Sequence, residues 1–181
     1  MSRRPRSRNS LTVPDDQIEA VVAQFPADFD PDTHRALFAL RATAQRVNDC
    51  ANEWLVPLGL TVGKYNYLVA LSSSPSRSRT LNEIGALIHT SSATVTGMIA
   101  ALERDGLVER ENNPLDGRST VARLTPAGEA KLRDVMAPHQ RNIEASMTNI
   151  TRAERQQLFA LLLKLGSGFG VTSRRPSDAE A

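Results

Sequence analysis

Apolar side chains recur every three or four residues from Asp32 onward: Leu37, Leu40, Ala44, Val47, Ala51, Trp54, Leu55 and Leu58. That spacing predicts one long helix with a single apolar stripe that must pack against something. Pro57 and Gly59 end it. Thr61 stands where it can cap a second helix, apolar at Tyr65, Leu68, Val69 and Leu71. The serine-rich run 72–79 reads as a loop by composition. A short helix follows at 81–88 and another at 91–105, with Ser91 as its N-cap and Gly106 directly after it. Leu107–Arg110 and Val121–Leu124 are strand-like runs separated by the turn-rich NNPLDGR. Thr125 caps a helix that begins at Pro126 and runs to about Asn149, with Pro138 expected to kink or split it. Thr151-Arg-Ala-Glu154 is a capping box opening a last helix, apolar at Leu158, Phe159, Leu161, Leu162 and Leu165, with Gly166 as its stop. Before all of these, Ile18, Val21, Val22 and Phe25 follow Pro14 at helical spacing, and PADFDPDT (26–33) breaks that pattern.

The fold class this order predicts is mainly α (α+β): a winged helix–turn–helix with a helical region built from N- and C-terminal helices. The chain divides into a disordered basic arm (1–12), an additional helix and linker (13–30), a long helix (31–60), a winged helix–turn–helix (61–125), two C-terminal helices (126–168) and a disordered tail (169–181). Charge refines this picture. Twenty-two Lys and Arg stand against 20 Asp and Glu, a net +2, which says nothing for nucleic acid by itself. Placement says more. Arg3, Arg4, Arg6 and Arg8 crowd the first ten residues, while Thr61–Thr125 holds seven basic and six acidic residues. This is no broad basic magnet; a few placed arginines suit a selective, salt-sensitive DNA binder. A single cysteine, Cys50, excludes an intrachain disulfide framework and fits a reducing cytoplasm. No apolar run is long enough for a membrane span, and no apolar stretch follows the basic start as a secretory signal requires.

The helix at 91–105 carries the candidate chemistry. With Val95, Ile99 and Leu102 turned to a core, the opposite face holds Ala93, Gly97, Ala100 and Arg104, flanked by Ser92, Thr94 and Thr96. A small, polar face lets a helix backbone sit close against a DNA major groove, and the helix start at Ser91 favours phosphate. It lacks Asn, Gln and Lys, so bidentate base reading should be sparse, with thymine-methyl contacts and DNA shape taking a larger share. Arg77, Arg79 and Arg104 are candidate phosphate contacts.

The run from Thr80 to Glu129 contains Thr94-Val95-Thr96, Leu102-Glu103, Asp105-Gly106-Leu107-Val108-Glu109-Arg110, Asp116-Gly117-Arg118 and Leu124-Thr125-Pro126-Ala127-Gly128. Together these motifs resemble the MarR family of winged helix–turn–helix transcriptional regulators, over about residues 34–168. The resemblance implies that Arg118 is the wing-tip residue entering the minor groove, with Asp116 orienting it through a salt bridge. It also implies a homodimer on a near-palindromic operator, dimerised through the first and last two helices, and a small aromatic or anionic effector bound between those helices and the DNA-binding lobe. By position, Arg46, Trp54, Tyr65, Asn66, Tyr67, Arg110 and His139 are the candidates for that cleft.

One branch of the family adds an N-terminal helix and responds to urate; residues 14–25 resemble that addition. Its ligand positions correspond here to Phe25, Asn66, Gly97 and Arg110, of which Arg110 alone matches. A peroxide-sensing branch places its cysteine near the start of the first helix, whereas Cys50 lies late in it, between Asp49 and Glu53, and reads as a packing residue. His34, His89 and His139 are scattered without zinc spacing, so no metal or other cofactor is expected. No phosphate-cradling glycine loop, nucleophile elbow or carboxylate pair points to an enzyme. The rival reading keeps the winged helix as a protein-interaction scaffold without sequence-specific DNA reading.

Overall fold

The computed structural model describes residues 20, 24, 30–113 and 116–171; of residues 116–118, 170 and 171 it describes the backbone alone. The predicted arm, the tail beyond 171 and, apart from Ala20 and Gln24, the predicted additional helix lie outside the described residues. Among those described, the order is α1 (Pro31–Leu55), a 3-10 turn (Val56–Leu58), α2 (Val62–Ser72), β1 (Ser78–Thr80), α3 (Leu81–Leu87), α4 (Ser92–Arg104), β2 (Val108–Asn113), β3 (Asp116–Leu124), α5 (Pro126–Ser146) and α6 (Arg152–Val171). This is a mainly helical fold with a small antiparallel sheet. It divides into two compact units, the first ending at Met136 and the second beginning at Ala137.

In the first unit, Asp30 caps α1 by accepting from the Asp32 N–H at 3.1 Å and the Thr33 hydroxyl at 2.6 Å. The predicted stripe is real but only partly buried: Ala51 and Leu55 are in the core, Leu37 and Leu40 are half-buried, and Val47 remains 60% exposed. Asn52 Oδ1 accepts from the Val62 N–H at 2.8 Å and so ties α1 to α2. Thr61 caps α2 as expected, accepting from the Lys64 N–H. The inward face of α2 differs from the expected one. Tyr67, Leu68, Ala70 and Leu71 are buried, while Tyr65 and Val69 flank the core. Around them Leu55, Leu60, Ile84, Val95, Ile99, Leu102 and Val108 close the core of this unit.

The expected loop at 72–79 is corrected in its last part. Ser78–Thr80 form β1, pairing antiparallel with β3 (Ser78 with Arg123, Thr80 with Val121), and the sheet order is β1-β3-β2. Composition hid this strand because its residues gain their ladder only from the second edge of β3. The hairpin arms are also longer than the sequence suggested. Val108 faces Leu124 and Asn112 faces Thr120, after which the register breaks and Asn113 faces Asp116. Thr125 caps α5: its hydroxyl accepts from the Gly128 N–H at 3.0 Å and donates to the Gly106 carbonyl at 2.7 Å.

α5 ends at Ser146 and keeps Pro138 inside it without splitting. A proline removes one i→i−4 bond, and here the ladder resumes beyond it. In the second unit, Thr151 and Glu154 form the expected capping box, with the Thr151 N–H donating to Glu154 at 2.7 Å. Gly166 does not stop α6, which runs on to Val171. A glycine ends a helix through a left-handed turn, and Gly166 does not adopt one. No single helix among the described residues is long and apolar enough to cross a membrane.

Candidate nucleic-acid interface

α3 and α4 meet at 111°, within the range of two helices joined by a short turn for DNA reading. Local chemistry builds this corner. Thr80 and Glu83 form a capping box at the start of α3: the Thr80 N–H donates to Glu83 at 2.8 Å and the Glu83 N–H donates back to the Thr80 hydroxyl at 3.2 Å. The Thr80 N–H, and after it the hydroxyl, hold the Glu83 carboxyl below its ordinary pKa. The Thr-x-x-Glu spacing was present in the sequence and went unread. His89, at φ 51°, turns the chain, and the Thr90 N–H donates to the Gly85 carbonyl at 3.0 Å.

Ser91 caps α4 as expected, accepting from the Thr94 N–H at 3.3 Å and sharing a 2.9 Å hydroxyl contact with Thr94. Val95, Ile99 and Leu102 are fully buried, and this anchoring fixes which face is presented. Ser92, Ala93, Thr94, Thr96, Gly97 and Arg104 are exposed and Ala100 is half-buried. The Thr96 hydroxyl donates to the Ser92 carbonyl at 2.9 Å. With its proton committed, it offers lone pairs and a methyl group to whatever docks there. At the far end, Gly106 at φ 72° allows the Leu107 N–H to reach back to the Leu102 carbonyl at 3.0 Å, a left-handed stop that only glycine adopts without strain.

The β2–β3 hairpin leaves from that stop. Arg110 pairs with Glu103 of α4 at 2.5 Å. Arg123 donates to Glu111 at 2.7 Å and to the Ser76 carbonyl at 2.9 Å. The Arg123–Glu111 contact was not legible beforehand, because it needs the β2–β3 register. The backbones of Asp116 and Arg118 lie in β3, but the expected salt bridge between them rests on side chains outside the described ones.

Two of the arginines expected to contact phosphate make contacts within the chain. Arg79 donates through Nε to the Ala70 carbonyl at 2.8 Å and through Nη2 to Ser73 at 3.1 Å. Arg77 donates to the Ser72 carbonyl and stands 3.8 Å from Glu129. Both guanidiniums satisfy carbonyls at the C-terminal end of α2, where positive charge is favoured. Arg104 remains exposed in the last turn of α4.

The residues expected to line an effector cleft are distributed over α1, α2, β2 and α5. Arg46 and Trp54 are half-buried on α1, and Asn66 is exposed on α2. Tyr65 is half-buried, and burial raises its phenol pKa. Tyr67 is a core residue, 4% exposed, because the inner face of α2 is centred on it and Leu68. His139 is buried, and burial lowers its imidazole pKa. Arg110 lines an open cavity of about 400 Å³ with Glu103, Glu111, Asn112 and Thr120, its charge already met by Glu103. Among the described residues no group of three His, Cys, Asp or Glu side chains is placed to hold a metal ion.

Comparison with known proteins agrees with this geometry. The family model described as MarR family matches residues 58–119. The chain is 26% identical over 140 residues to the HTH-type transcriptional repressor YetL of Bacillus subtilis, covering 77% of this chain and 84% of that one. Among solved structures it is similar to AbsC, a MarR family transcriptional regulator from Streptomyces coelicolor, with a TM-score of 0.72 at 23% identity, over 80% of this chain and 99% of that one. It is also similar to a mutant MarR from Escherichia coli complexed with operator DNA, with a TM-score of 0.66 at 26% identity, over 70% of this chain and 89% of that one.

Proposed function

Because the chain is a winged helix–turn–helix protein of the MarR family, we propose that it is a DNA-binding transcriptional regulator, a repressor that reads a pseudo-palindromic operator as a homodimer. The observation that carries this reading is the outer face of α4: small, polar, exposed and held by a fully buried Val95, Ile99 and Leu102 beside a hairpin wing. Each α4 enters a major groove through Ser92, Ala93, Thr94, Thr96 and Gly97, with Ser91 and Arg104 on the backbone at its two ends. Arg118 enters the neighbouring minor groove, where a guanidinium suits the narrow, electronegative floor. YetL is named a repressor, and the MarR crystal complex contains operator DNA; both support the reading by similarity.

The dimer is formed by residues 31–60, which contain α1, with the C-terminal segment 126–168. A small aromatic or anionic effector bound beside Arg46, Trp54, Tyr65 and Asn66 favours an arrangement of the two reading heads that no longer fits the operator, a population shift between two states.

The test is a salt-dependent gel shift with duplexes from the protein's own promoter region. The wild type is expected to bind selectively, and Arg118→Ala to lose about tenfold, roughly 1.4 kcal/mol, at the same salt. Equal binding by Arg118→Ala removes the wing from the mechanism. One observation favours a second reading, a protein-interaction scaffold: the α4 face carries no Asn, Gln or Lys for bidentate base contacts. A complete absence of promoter binding at low salt would decide for that scaffold.

A further inference from the structure

α4 ends in an acidic turn. Glu103 and Asp105 stand at the C-terminal end of a helix, where the backbone carbonyls are already negative and basic side chains are the favourable choice. Each is met by a base from a different element. Asp105 pairs with Lys64 of α2 at 2.5 Å, and Glu103 pairs with Arg110 of β2 at 2.5 Å. The hairpin is gripped on its other side as well. Neighbouring residues of a strand point to opposite faces, so Arg110 and Glu111 leave β2 in opposite directions. Arg110 reaches α4, while Glu111 reaches Arg123, which is itself bound to the Ser76 carbonyl.

We infer that the Glu103–Arg110 ion pair is a positioning device that sets the angle between the reading helix and the wing. The inference rests on the DNA-binding reading above and adds to it a residue pair that need not touch DNA. Geometry explains why a weak contact carries weight here. Arg110 lies at the root of the hairpin, and the tip begins three residues on, about 10 Å at strand rise, so a root tilt of about 10° displaces the tip by about 2 Å. An error of that size takes a groove-reading side chain off its target. Both partners remain more than a third exposed, 39% for Arg110 and 36% for Glu103. A surface pair of that kind adds little to folding stability. Near-normal stability with impaired DNA binding is therefore the signature that separates positioning from a structural role.

The experiment uses the full chain, a promoter duplex that the wild type binds, and anisotropy titrations over a range of salt. Glu103→Gln and Arg110→Gln are each expected to weaken binding about tenfold with the salt slope unchanged, and the swap Glu103→Arg with Arg110→Glu to recover to within about threefold of wild type. Thermal melting of all three is expected to stay within a few degrees of wild type. If Arg110 instead contacts a phosphate directly, the swap fails to recover and the salt slope becomes shallower by about one counterion, which overturns the inference. A second measurement needs no DNA. In a Cys50→Ser background, spin labels at Ala93→Cys and Asn112→Cys report the helix-to-wing distance. Glu103→Gln is expected to broaden that distribution, and an unchanged distribution overturns the inference. A wild type that binds no promoter duplex removes the DNA-binding reading itself. Single variants that bind as tightly as a binding wild type remove this inference alone.

Discussion

At Gly128 the first turn of α5 passes so close to the α4–β2 turn that a Cβ would stand 2.0 Å from the Leu107 carbonyl oxygen. That carbonyl also accepts from the Thr125 N–H at 3.1 Å, so it cannot retreat without breaking the seam. Gly128→Ala is expected to cost about 3 kcal/mol or more in chemical denaturation, a value reserved for clashes with backbone. His139 offers a different test. Burial lowers its imidazole pKa, so the unfolded chain binds its proton more readily than the folded one. Stability from this residue is fully present above about pH 6.5, the unfolded value, and is lost as the pH falls toward the lowered one. The drop in melting temperature between pH 7.5 and pH 5.5 should shrink in His139→Gln; an equal drop in both would show that other groups are responsible. At this scale the sequence was informative where a residue's role is local and silent where it depends on neighbours. The Leu124-Thr125-Pro126-Ala127-Gly128 motif was visible, but the carbonyl that forces glycine at 128 was not. Tyr67 read as a ligand candidate because an aromatic phenol suits both a pocket and a core, and only the facing of α2 separates the two.

Helix starts were the most legible elements, since an N-cap and the N–H groups it serves lie within four residues of one another. Thr61, Ser91, Thr125 and Thr151 all stand where their spacing put them. Ser91→Ala should therefore cost about 1 kcal/mol of stability. Because α4 is the proposed reading element, it should also weaken promoter binding, and titration against Thr61→Ala, a cap of similar strength on α2, isolates the part that belongs to DNA. Ends and edges were less legible. β1 is only three residues long and exists because β3 has a second edge to fill. Pro138 and Gly166 carry strong helix-breaking tendencies, yet α5 and α6 pass through them. Intrinsic preference yields when the turns on both sides keep their bonds.

On the scale of the whole molecule, α6 keeps much of its apolar pattern exposed. Phe159, Leu161, Leu163 and Phe169 are each more than half exposed, and Leu158, Leu162 and Leu165 lie at or above 40%. Apolar area of that extent on an exposed helix face marks an interaction surface. In the proposed homodimer it is covered by the second copy. Sedimentation is expected to give a dimer for the wild type and a shift toward monomer for Leu162→Asp. Operator affinity should fall with it, because a monomer holds one half-site and loses the effective concentration that the second reading head provides. A variant that still sediments as a dimer would move the interface away from α6. The charge balance belongs to this scale too. With a net charge of +2 and, among the described residues, Arg77, Arg79, Arg110 and Arg123 engaged by carboxylates and carbonyls, the salt dependence of the proposed DNA binding should be moderate.

Gly97 sits on the outer face of α4, and a Cβ built there meets nothing within 4 Å. The residues that hold α4 in place, Val95, Ile99 and Leu102, all face the other way. On the proposed reading, what the helix reads and what keeps it folded are therefore written at separate addresses along one stretch of chain. If α4 reads the operator as proposed, substitutions at Ala93 or Gly97 would alter the sequence it prefers and leave the buried Val95, Ile99 and Leu102 in place. The bare face of α4 would then make the proposed specificity editable in evolution, independently of stability.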